Sequence, residues 1–71
     1  MKYAIVIERA GNNFSAYAPD LPGCVATGAT VAEVEAEMKA AIAFHLEALQ
    51  ADGCALPAAA AIVEYVEAIA A

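Results

Sequence analysis

Apolar and polar positions along the chain change period twice, and the changes mark out its elements. Residues 2–8 (KYAIVIE) place Tyr3, Ile5 and Ile7 on one side of an extended chain and Ala4 and Val6 on the other, since successive strand side chains point to opposite faces. Apolar residues on both sides predict a central strand rather than an edge. Ala10, Gly11, Asn12 and Asn13 carry a turn signal, and residues 14–18 (FSAYA) return as the second strand of a hairpin. Pro19 and Pro22 remove ladder donors, so the stretch from Pro19 to Gly23 is a rigid loop and not a continued strand. Residues 24–28 (CVATG) make a short third strand.

From Thr30 the period becomes helical. Thr30 and Glu33 form a capping box at the start, and Gly53 is a natural stop after a helix reaching about Asp52. Val31, Val34, Met38, Ile42, His45 and Leu49 fall on one stripe, while Glu33, Glu37 and Glu47 lie away from it. Glu35 stands near the edge of the stripe, where it snorkels outward. Phe44 has the phase of Glu33 and Glu37, so it faces solvent between acids.

After a connection holding Pro57, residues 60–68 (AAIVEYVEA) fit two periods. The β-branched and aromatic run at 62–66 predicts a fourth strand, with a helix as the alternative because alanines flank it. The expected fold is a single α+β domain over residues 1–71, in the order β-β-β-α-β. It has a three-stranded antiparallel meander, a fourth strand parallel to the first through a right-handed crossover, and one helix on one face. A lone helix covers only one side of such a sheet. The other side is expected to meet protein, with a homo-oligomer as the default.

Composition strengthens that expectation. Of the 71 residues 63% are apolar, above the roughly 45–50% of an ordinary soluble domain, although much of the excess is alanine. The net charge is −6, from nine acids against Lys2, Arg9 and Lys39. Nucleic-acid affinity comes largely from neutralising phosphates, so direct nucleic-acid binding by this chain is disfavoured. A basic protein partner fits the field better, although acidity also serves simply to keep an apolar domain soluble. The longest charge-poor stretch, residues 53–63, is broken by Pro57 and too short for a bilayer. With no signal-peptide pattern at the start, a cytoplasmic protein is expected. Cys24 and Cys54 have no CxxC neighbour and no histidine at ligand spacing, so neither a metal nor a cofactor is expected and free thiols are favoured over a disulfide.

Catalytic groups are scarce. His45 is the only histidine, and its phase puts it on the buried stripe, bonded to a backbone carbonyl rather than acting as a base. No Ser/His/Asp arrangement is visible, and Cys24 lacks an activating neighbour. No catalytic residue is assigned.

Several segments, in order and spacing, carry a family resemblance: the opening strand at residues 2–7; Ala-Tyr-Ala-Pro-Asp-Leu-Pro-Gly-Cys at 16–24; Ala-Thr-Gly at 26–28 followed by Thr30; Ala-Ile-Ala-Phe-His-Leu-Glu at 41–47; and Asp52-Gly53. Together these resemble the N-terminal domain of HicB-type antitoxins, a truncated ribonuclease H-like fold. In nucleases of that fold, acids on the first strand, the helix and the fourth strand hold metal. Here Glu8 ends strand one and Glu64 is the only acid inside the fourth, so the two-metal cluster is not expected. The resemblance implies a proteinaceous inhibitor of a HicA-type toxin, a small basic protein of double-stranded-RNA-binding-domain-like fold that cleaves messenger RNA with a histidine. Many family members add a C-terminal helix-turn-helix or ribbon-helix-helix domain that binds the operator. The sequence at hand ends at Ala71, so direct DNA contact is not expected of it.

The expected partner-binding residues are Asp20, Leu21 and Pro22 in the loop, and Glu33, Glu37, Phe44 and Glu47 on the outer helix face. The loop also has a purely structural reading, in which Asp20 stabilises a turn and Leu21 plugs the sheet end, and proline and glycine placement favours that one. An orphan oligomeric domain without a toxin, and a residual metal-dependent nuclease, are the alternatives to the antitoxin reading.

Overall fold

The structure, a computed structural model, describes residues 1–70. Its elements run β1 (Val6–Ala10), β2 (Asn13–Tyr17), β3 (Val25–Gly28) and α1 (Val31–Ala51). The sheet order is β1-β2-β3, and both pairings are antiparallel. The predicted meander and the helix that follows it are therefore present.

Strand register separates two faces. Ile7 pairs with Ala16 and Arg9 with Phe14, while Ala16 pairs with Ala26 and Phe14 with Gly28; these residues face α1. The Arg9 guanidinium closes the end of this face, 4.7 Å from the centre of the Phe14 ring. Ala16, Ala18, Leu21, Cys24, Val34 and Met38 are the buried core, with Tyr3, Ile5, Ile7, Phe14, Ala26, Ala41, Ile42 and Leu46 packed around it. The N-terminal apolar alternation thus holds, since Tyr3, Ile5 and Ile7 share the core side.

The helix ends as its sequence requires. The Glu33 amide donates to Thr30 Oγ1 at 3.1 Å, the first half of the expected capping box. At the other end, the Gly53 amide donates to the Gln50 carbonyl (3.0 Å) and the Cys54 amide to the Leu49 carbonyl (2.9 Å), the paired bonds of a Schellman cap. Val34 and Met38 are fully buried, and Ile42, His45 and Leu49 are half-buried. Val31 departs from the stripe, 47% exposed. It occupies the first helical position, and Ala41 and Leu46 pack in the core's periphery instead.

Three expectations are corrected. No fourth strand forms: residues 54–70 carry neither strand nor helix. The segment does return beside β1, where the Tyr3 hydroxyl donates to the Pro57 carbonyl and Val63, Glu64 and Tyr65 stand across a cleft from Ile5, Val6 and Ile7. A strand exists through its ladder, however, and Ile62, Tyr65 and Val66 are left at least 85% exposed. It follows that β1 is an edge strand, not a central one. Its two apolar sides reflect the core below it and the unladdered segment beside it. Third, His45 is half-buried and does not bond a backbone carbonyl among the described residues.

The helix packs over β3 and β2. Gly28 explains the close approach: a methyl group built on it would lie 2.6 Å from the Val34 nitrogen and 2.9 Å from its Cα. With α1 drawn to that side, β1 is left with an open groove beneath it.

Candidate protein-binding surfaces

The loop between β2 and β3 is built from two consecutive turns, each led by a proline. The Leu21 amide donates to the Ala18 carbonyl (3.1 Å) and the Cys24 amide to the Leu21 carbonyl (3.0 Å). Pro19 and Pro22 each take the second turn position, for which their fixed φ is suited. Gly23, at φ +82°, takes the third position of the second turn, the one that requires positive φ in a type II turn. The Ala18 amide closes the base on the Cys24 carbonyl (3.2 Å).

This geometry drives one side chain inward. Leu21 is 1% exposed, so it plugs the core and is not available to touch a partner. Asp20 is half-buried, and its Oδ2 accepts from the Ala61 amide at 3.0 Å, tying the C-terminal segment to the loop. Pro22 and Gly23 are left as the exposed tip. The carboxylate is occupied internally.

The outer helix residues are placed differently. Glu33, Glu37, Phe44 and Glu47 are all exposed, and Phe44 is 75% so. At 100° per residue they fall within about 80° of arc and span about 21 Å along the axis. The face is thus an aromatic side chain bracketed by acids at both ends, with alanines between them.

Two further surfaces lie outside the residues singled out from the sequence: the open sheet face, expected only in outline, and a groove that depends on where the helix packs. On the sheet side away from α1, Val6 pairs with Tyr17 and Tyr17 with Val25, giving an apolar row across all three strands. Next to it Glu8, Ser15 and Thr27 form a polar row. The open face is therefore half apolar and half polar. The second surface is the groove between β1 and α1, about 730 Å³, lined by Tyr3, Ile5, Ile7, Ile42 and Leu46 with Glu35 and Lys39 at its margin.

Reactive groups remain dispersed. Among the described residues no three His, Cys, Asp or Glu side chains gather where they could hold a metal ion. Both cysteines are free thiols, Cys24 buried and Cys54 exposed. Burial pushes the Cys24 thiol up from its ordinary range, which depletes the thiolate that nucleophilic chemistry would need. No helix among the described residues is long and apolar enough to cross a membrane.

A protein of Haemophilus phage HP1 (strain HP1c1), described as an uncharacterized 14.9 kDa protein in the rep-hol intergenic region, is 36% identical over 66 residues. The match covers 93% of this chain and 50% of the phage protein, so the chain spans about half the length of that curated relative. No solved structure matches. Residues 3–70, from the opening strand through the proline loop and helix to the extended C-terminal segment, match the HicB_like antitoxin of bacterial toxin–antitoxin systems, and the chain belongs to that family.

Proposed function

We propose that this chain neutralises a small basic HicA-type toxin by covering the surface on which that toxin binds RNA, with no catalytic step of its own. The reading places it in the cytoplasm as a homo-oligomer. The observation that carries it is the outer face of α1, where Glu37, Phe44 and Glu47 are exposed side by side in a member of an antitoxin family.

The physics of such a face suits an inhibitor. Carboxylates opposite a basic RNA-binding surface steer encounter and take the place of phosphates. An aromatic anchor within a charged rim then slows dissociation, as interface hot spots do. Association is expected to weaken as salt screens the charges. The rigid tip at Pro22 adds a contact with little ordering cost on binding, while Asp20 contributes by fixing the loop.

The test is growth rescue. Co-expression of the native chain with a growth-arresting HicA-type toxin, the proposed partner, is expected to restore growth. A Glu37→Lys, Phe44→Ala, Glu47→Lys variant is expected to fail, with its helical circular dichroism unchanged because all three positions are exposed. Glu33 is left in place because an acid in the first helical turn also stabilises the helix. Full rescue by the variant would remove the helix face from the interface.

A further inference from the structure

Residues 62–69 hold a concentrated block of exposed apolar surface: Ile62 is 85%, Tyr65 95%, Val66 87% and Ile69 96% exposed. The same molecule keeps an empty apolar groove between β1 and α1, and no residue of this segment lines it. Two anchors hold the root of the segment along the β1 edge, the Tyr3 hydroxyl on the Pro57 carbonyl and the Ala61 amide on Asp20. Beyond them Val63, Glu64 and Tyr65 stand across a cleft from Ile5, Val6 and Ile7 of the same copy, and Ile62, Tyr65, Val66 and Ile69 keep most of their apolar surface in water. A compact chain of this length has a radius of gyration of about 11 Å, whereas this one has 14.1 Å and a longest dimension of 51 Å.

We propose that residues 62–69 of one copy lie in the β1–α1 groove of a second copy, reciprocally about a two-fold axis, to form a homodimer. The proposal rests on the homo-oligomer reading above and assigns its interface. Exposure supports it, because Ile62, Tyr65, Val66 and Ile69 leave most of their apolar surface in water, which burial against a second copy removes. Symmetry supports it as well. Each copy brings one protruding segment and one vacant groove, so a two-fold arrangement fills both and closes without leading to a filament.

Lys39 and Glu35 both border the groove, and Glu64 and Glu67 interrupt the apolar segment, so the rim offers the incoming acids one cation beside one like charge. Each copy still carries −6 overall, so bulk repulsion opposes the dimer. Added salt is therefore expected to tighten it, the reverse of its effect on an acidic face meeting a basic toxin.

Sedimentation equilibrium of the full chain, from low to high micromolar concentration, tests the assignment. The native chain is expected at twice its 7.2 kDa mass. Two variants are expected to revert to the single-chain mass with unchanged circular dichroism: Tyr65→Asp with Val66→Asp in the exposed segment, and Ala36→Arg at an exposed position lining the groove. A native chain that stays at single mass at the highest concentration overturns both the dimer and the oligomer reading. A doubled mass that survives both variants overturns the segment-in-groove interface while leaving oligomerisation standing.

Discussion

Replacing Leu21 with alanine is expected to lower the unfolding free energy by about 2–5 kcal/mol, the usual range for emptying a buried leucine site. Leu21 is among the largest fully buried side chains, although it stands in a loop. Collapse cannot refill its place, because two proline-led turns fix the backbone on either side and rigid walls keep a cavity open. A domain of this length has a total stability of roughly 4–10 kcal/mol, so the loss is about a fifth or more of what holds it together. Urea titration followed by circular dichroism would show a lower midpoint at nearly unchanged slope. A loss under about 1 kcal/mol would mean that the loop does not contribute to the core.

Gly28→Ala is expected to destabilise by about 1–3 kcal/mol, the range for overpacking a tight site, even though alanine is ordinarily the better residue outside turns. The added methyl meets backbone atoms of Val34 at 2.6 and 2.9 Å, and backbone has no alternative rotamer with which to yield. The helix must move off β3, and Val34, 0% exposed, moves with it. Thermal unfolding of the variant checks this. An unchanged or higher melting temperature would contradict the close contact between strand and helix.

These two positions show what was legible in the sequence. Proline and glycine placement defined the loop, and the burial of Leu21 is the structural role that the placement favoured. The helix boundaries followed from Thr30 and Gly53, because caps are local chemistry. The acids and Phe44 on the outer face followed from phase alone, since helical geometry depends on no distant partner. What failed was non-local. The β-branched run at residues 62–66 has strand propensity, but propensity names no ladder partner, and the segment stays unladdered beside β1. Val6 and Ala4 therefore read as one face of a central strand when β1 is an edge. The groove was invisible for a related reason. It exists because Gly28 draws α1 toward β3, and no periodicity records a lateral shift. His45 had the phase of the stripe but lies far enough along it to be only half covered.

The measurement closest to the central claim uses purified components. A small basic HicA-type toxin, the proposed partner, would be incubated with labelled messenger RNA while the chain is added in increasing amounts. Inhibition is predicted to be competitive with RNA, to saturate at a fixed stoichiometry and to weaken with salt, because acidic side chains and phosphates contend for one surface. RNA cleavage that continues unchanged beside saturating chain, or cleavage by the chain itself on addition of magnesium or manganese, would contradict the account.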